Sequence, residues 1–272
     1  MITKKVCNNV FNPPLPDNTA KLSPDKILGY NLFPEIYSNT FLCARKRSGK
    51  TSTIFNVIKN CADKDTNVIV FCSTCENDVA WITIREYLEK QKIPYEFFKS
   101  IMDNGTNNLL NIIEEMKIAD EEEEEEEPEP EIILLNNTNI SVKVKRKKKK
   151  KKVSPRYIVI FDDMSAELKN PAVSQLLKQN RHYKSKVLIS SQYLLDILPE
   201  ARNQIQYYLI FGGINEQKLF EIYRNANLNL TFEQFMSMYK DATSKAYSFF
   251  YVSTYCNYRQ NFNIEYDIPK NN

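Results

Sequence analysis

Glycine is scarce here, 5 residues in 272, so any Gly-rich cofactor loop has to be minimal. No run of roughly eighteen apolar residues occurs, and the chain does not open with a charged-then-apolar leader. Neither a membrane span nor a secretory signal is therefore expected. The 6 cysteines are too few for a disulfide scaffold and point to a reducing compartment. With a single histidine, His182, the chain has little to build a zinc site from. What it does have is a core. Hydrophobic residues make up 42% and aromatic residues 12%, which rules out wholesale disorder at a length near the upper limit of one domain.

The formal charge of +3 conceals an asymmetry. Residues 120–131 contain ten acidic side chains, and 143–152 contain nine basic ones. Setting both blocks aside leaves 24 of the 34 acidic and 28 of the 37 basic residues. The remainder is only mildly basic, which permits nucleic-acid binding without demonstrating it. Like-charge blocks repel themselves and pack badly, so 119–153 reads as a disordered insertion within one domain. Residues 1–38, rich in Pro and Asn at the start, read as an extended arm over the core or toward a neighbour. Residues 39–272 form the expected domain.

Within it, Phe41-Leu42-Cys43, Val68–Phe71, Tyr157–Phe161, Val187-Leu188-Ile189 and Tyr207–Phe211 are continuous apolar runs. A parallel sheet covered on both faces calls for such runs. Between them, Ile54, Val57, Ile58 and Cys61 fall on one helical stripe. Asn170-Pro171 makes an N-cap and first-turn pair, and Thr231 with Gln234 a capping box. The expected fold is α/β, a mostly parallel central sheet flanked by helices.

The strand Phe41-Leu42-Cys43 runs into Ala44-Arg45-Lys46-Arg47-Ser48-Gly49-Lys50-Thr51, followed by the amphipathic helix. That is the phosphate-loop pattern, with Ala44 in place of its first glycine. Backbone N–H groups at such a helix start face an anion, Lys50 reaches terminal phosphates, and the Thr51 hydroxyl ligates Mg2+. Arg47 stands where a glycine is often found, which costs backbone freedom. Alone, the loose pattern also arises by chance; the flanking strand and helix make that less probable. The run Tyr157–Phe161 ends in Asp162-Asp163, as a Walker B strand does. Asp162 would hold Mg2+, and Asp163 would orient or deprotonate the attacking water. By itself, a strand ending in two aspartates is more often a strand capped by a turn. Gln192, after Val187–Ser191, is a candidate sensor of phosphate or water, though by itself it is an ordinary loop residue. Cys72-Ser73-Thr74-Cys75 has no second pair and reads as packing at a strand end, and Trp81 reads as core. Arg181 and Arg202 read as surface arginines that can also serve a neighbour's site.

Taken in order, Lys46–Thr51, Phe161–Met164, Asn180-Arg181-His182-Tyr183, Ser190-Ser191-Gln192 and Arg202-Asn203 resemble the genome-packaging ATPases of nucleocytoplasmic large DNA viruses and virophages. Those belong to the FtsK/HerA superfamily of P-loop pumps, and the resemblance runs from Asn39 to about Phe262, outside the charged insertion. It implies a RecA-like sheet with the Gln192 strand between those ending in Ala44 and Asp162. It also implies a homo-oligomeric ring, six subunits being the expected number, that uses ATP and Mg2+ to drive double-stranded DNA into a capsid. A capsid or portal-vertex protein would be a partner, and no integral membrane association is expected. The virion, or the virus factory in the host cytoplasm, is the implied location. Nuclear entry stays open through Lys143–Lys152. The implied site is Ala44–Thr51 for nucleotide, Thr51 and Asp162 for metal, with Lys50, Asp162, Asp163 and Gln192 catalytic. Arg202 or Arg181 would act as an arginine finger. Two other readings stand beside it: a helicase-type NTPase on cellular DNA, and a nucleotide-gated scaffold without hydrolysis. Asp163 argues against the scaffold, which needs no water-activating carboxylate.

Overall fold

The computed structural model describes residues 22–125 and 152–267. Its centre is a 9-stranded sheet in the order β11-β10-β9-β8-β1-β7-β6-β2-β3. The parallel part comprises β1 (Asn39–Cys43), β2 (Asn67–Cys72), β3 (Tyr95–Phe98), β6 (Tyr157–Asp162), β7 (Ser185–Ser191) and β8 (Tyr207–Phe211). At one edge β9 (Phe249–Ser253), β10 (Asn257–Gln260) and β11 (Ile264–Glu265) continue it antiparallel. A small separate ribbon pairs β4 (Met102–Asp103) with β5 (Thr106–Asn107).

All five apolar runs read as strands are strands, and β1, β7 and β8 are buried along their whole length. Helices cover both faces. On one lie α1 (Lys50–Cys61) and α2 (Val79–Gln91), whose Ile54, Val57, Ile58, Cys61 and Trp81 pack against the sheet. On the other lie α3 (Asn108–Glu125), α4 (Pro171–Gln179), α6 (Glu216–Ala226) and α7 (Phe232–Ala242). A 3-10 turn, Leu194–Asp196, and one turn of α-helix, α5 (Pro199–Arg202), lie between β7 and β8. The start signals act as expected: the Asn170 side chain accepts from Ala172 N–H with Pro171 opening α4, and Thr231 and Gln234 form both bonds of a capping box on α7. Among the described residues no helix is long and apolar enough to cross a membrane.

The strand order sets the site. β7 lies between β1 and β6, with Cys43 opposite Ser191 and Asp162 opposite Ser190. The phosphate-loop strand, the Gln192 strand and the Asp162 strand thus end side by side. In open α/β sheets the crevice outside such carboxyl ends is where ligands bind.

Residues 22–38 lie against the core; residues 1–21 of the arm are outside the described residues. A Cβ on Gly29, at φ 76°, would come within 2.3 Å of Cys61 Sγ, so only glycine lets this segment lie on α1. Phe33 is buried beside Tyr207, with ring centroids 5.0 Å apart. Most of the charged stretch, residues 126–151, is likewise outside the described residues. At its flanks α3 continues to Glu125, with Asp120 Oδ1 2.7 Å from Lys184 Nζ. Val153 bridges Ile27, and Val153 N–H donates to Lys26 O at 2.7 Å. A deletion that spares the fold should therefore stay inside 126–151.

Lys186 of β7 ties the arm to the sheet. Its fully buried ammonium donates to Glu35 O at 2.9 Å and Ser38 Oγ at 2.8 Å, and sits 4.8 Å from the Phe33 ring centroid. Burial pushes this lysine down to about 8, against smaller opposing effects of Cys61 and Glu35. An unfolded lysine titrates near 10.4. Between those values the unfolded chain binds more protons than the native one, so this contribution to stability rises with pH from about 8 to about 10.5 and is flat below. Lys186→Met should remove the rise. In urea melts at about pH 7.5 and 9.5, wild type should gain about 2 kcal/mol relative to the variant. Equal differences at both pH values would mean that Lys186 titrates alike in both states.

Candidate functional site

Residues Ala44–Gly49 carry the chain from the end of β1 to the start of α1. Ala44 is buried, whereas Arg45, Lys46 and Arg47 are exposed. Gly49 occupies the N-cap at φ 93° with no side chain to cap the helix, so the first-turn N–H groups have no capping acceptor. The Ser48 hydroxyl in the same loop is buried with no hydrogen-bond partner. Together these form an anion cradle, with the dipole of α1 adding favourable potential. Arg47 sits at φ 62°, the left-handed conformation glycine takes without cost, so the loop carries strain at the position where the sequence departs from the usual pattern.

The Lys50 ammonium lies 3.0 Å from Asp162 Oδ1 and 2.8 Å from Asp163 Oδ1. Burial works to lower its affinity for a proton, but the two carboxylates outweigh that and hold it above the ordinary lysine value. Lys50 is thus not an open, solvated loop cation: its side chain is 12% exposed. Asp162 is buried and Asp163 half-exposed, at 5% and 38%. Asp163 adopts φ 56°, a strained conformation for an L-residue that turns the chain sharply after β6. One partner escaped the sequence reading. Trp81 is core, as expected, but its indole N–H also donates to Asp162 Oδ2 at 3.2 Å. A lone tryptophan on the buried face of an amphipathic helix carries no local mark of such a role.

At the end of β7, Ala44 N–H donates to Ser191 O at 3.3 Å, and Cys43 Sγ lies 3.8 Å from Gln192 O. Gln192 therefore stands next to the phosphate loop, partly exposed. The Ser191 hydroxyl is held by Asp196 and lies 3.1 Å from Ser165 Oγ, so it fixes the loop after β7 and is not left free in the crevice. Arg181 and Arg202 are not brought to this site within one chain. Arg181 lies in the turn before β7, where it works against the upward push of burial and Glu35 on the Tyr255 phenol. Arg202 ends α5, and two residues on Gln204 O accepts from Asn39 Nδ2 at the amino end of β1, opposite the end where the site lies. Cys72 and Cys75 are buried, with Cys72 Sγ 3.6 Å from Thr74 Oγ1.

The assembled groups suit one kind of ligand: an anion at the start of α1, met by a lysine, next to two carboxylates able to hold a hard cation or accept a proton. The sequence family described as Poxvirus A32 protein matches residues 122–268, a little over half of the chain. No curated protein matches. Among solved structures, the genome packaging NTPase B204 from Sulfolobus turreted icosahedral virus 2, in complex with AMP, superposes with a TM-score of 0.51 at 14% identity. That similarity covers 86% of this chain and 99% of the other. The same NTPase in complex with AMPPCP gives 0.50 at 15% identity, over 81% and 94%. At such identities the likeness is one of fold.

The indole contact can be tested by substitution. Trp81→Phe keeps a ring but removes the donor to a buried charge, and should cost about 2 kcal/mol of stability. In an Asp162→Asn background the same change should cost less than half as much, as a double-mutant cycle in urea would report. Equal costs would mean that the indole packs without holding the carboxylate.

Proposed function

The chain belongs to the Poxvirus A32 protein family, and on that premise we propose that it is an ATP-hydrolysing motor that drives double-stranded DNA into a viral capsid. The observation that carries the reading is the Lys50 ammonium shared between Asp162 and Asp163 at the mouth of an anion cradle. ATP is the proposed nucleotide and Mg2+ the proposed metal. Thr51 and Asp162 are an all-oxygen donor pair, the kind that a small hard cation prefers. The metal, when bound there, neutralises phosphate charge.

Each residue then has a task. Phosphate oxygens draw Lys50 away from the carboxylates, which frees Asp162 for the metal and Asp163 for a water. Asp163, the more exposed of the two, orients that water and accepts its proton. Gln192, beside the phosphate loop, senses the terminal phosphate. Neither Arg181 nor Arg202 lies at the site within one chain, which supports a ring in which one of them, from one subunit, completes the site of the next. Six subunits, and a capsid or portal-vertex protein as the docking partner, are parts of the same proposal.

Turnover of ATP should rise when duplex DNA is added, without strand separation; unwinding would favour a helicase. Lys50→Ala should lower turnover on the order of a hundredfold or more. Its fold is checked by circular dichroism, since the change strips a buried carboxylate of its counter-ion. Asp163→Asn should bind ATP and turn over at least about a hundredfold more slowly. A folded Lys50→Ala protein with wild-type turnover would overturn the site. Mixing Arg202→Ala with Lys50→Ala subunits should restore part of the activity; rings that assemble but never recover would remove the trans arrangement, and the same test applies to Arg181.

A further inference from the structure

Beside the phosphate loop lies an open cavity of about 660 Å³. Gly49, Ser52, Thr53 and Asn56 line one wall. These positions are spaced three, four and seven residues from the first, so they form a single stripe of α1 that leads about 10 Å away from the anion cradle. The opposite wall is aromatic, from Phe249 and Phe262, and the amide side chain of Asn263 stands exposed at the rim.

Tyr247 closes the end nearest the loop. It is 74% exposed, and its Cδ1 and Cβ lie 3.4 and 3.5 Å from where a Cβ on Gly49 would be. Among the described residues its ring meets no other ring and its hydroxyl makes no hydrogen bond. Its backbone is at φ 63°, a conformation an L-residue with a bulky side chain holds only at a cost. A large exposed aromatic, held in a strained turn against the last residue of the phosphate loop, has no core to serve.

We propose that this cavity is the nucleobase site, with the Tyr247 ring as the surface on which the base stacks. The proposal rests on the reading of the phosphate loop as a nucleotide site and adds to it where the other end of the nucleotide lies. A base entering along the α1 stripe has its flat face toward Tyr247, an apolar wall behind it, and hydroxyl and amide groups of Ser52, Asn56 and Asn263 at its edge. Base–aromatic stacking is strong enough to matter for affinity and tolerates different bases, because each has a π-face.

The two ends of the ligand can be measured separately. Inorganic tripolyphosphate carries the phosphates and no base. By titration calorimetry in Mg2+, Tyr247→Ala should weaken ATP binding about tenfold and leave tripolyphosphate binding unchanged. Tyr247→Phe, which keeps the ring, should bind ATP as wild type does. If Tyr247→Ala binds ATP normally, or loses ATP and tripolyphosphate in parallel, the base site is overturned while the phosphate site stands. A wild-type protein that binds neither ligand overturns both.

Discussion

One ammonium between two carboxylates organises this end of the molecule. Without Lys50, Asp162 and Asp163 would face each other across a partly dry crevice, where like charges cost most. Each feature around the triad acts to keep that geometry. The parallel pairing of β6 with β7, and of β7 with β1, fixes the distance between the acid pair and the phosphate loop. The start of α1 sets where Lys50 leaves the backbone, and the indole of Trp81 holds the second oxygen of Asp162. The left-handed turns at Arg47 and Asp163 are the strained points of the same arrangement. Strain of this kind persists only where the surroundings over-determine the backbone, which a sheet buried on both faces can do.

Under the proposed function, the triad also explains how the site responds to a ligand. Water reaches Asp163, which weakens that half of the ion pair, so phosphate groups could compete there for the lysine. The carboxylates released by that exchange differ in exposure: Asp162 is buried beside an indole donor, and Asp163 is open to solvent. Under the proposed function, two acids of one type would thereby be suited by their surroundings to two tasks, metal binding and proton acceptance.

Much of this was legible in the sequence because the signals are local. Strands buried on both faces must be apolar throughout, so β1, β2, β6, β7 and β8 stood out as continuous runs. Asn170-Pro171 and Thr231 with Gln234 marked helix starts because capping chemistry acts within one turn. The antiparallel edge was harder: β10 and β11 are short and mixed in polarity, and β11 is paired on one side only. The acidic end of α3 reads from sequence as part of the insertion, but Ile112, Ile113 and Met116 anchor a helix that carries on to Glu125. What no sequence pattern could supply were contacts between distant segments. Trp81 and Asp162 are 81 residues apart, Tyr247 meets Gly49 only through the fold, and Lys186 looks like a surface lysine until the arm is laid over it. The arginines lie in another class. Their proposed partner is a second subunit, and nothing within one chain specifies it.

The central claim is that Lys50 exchanges carboxylate for phosphate at the start of α1. A crystal structure with Mg2+ and a non-hydrolysable ATP analogue tests it most directly. The account predicts terminal phosphates at the N–H groups of Gly49–Thr51, with Lys50 Nζ on phosphate oxygen and no longer held by Asp163. Nucleotide bound elsewhere, with Lys50 still bridging both aspartates, would contradict it.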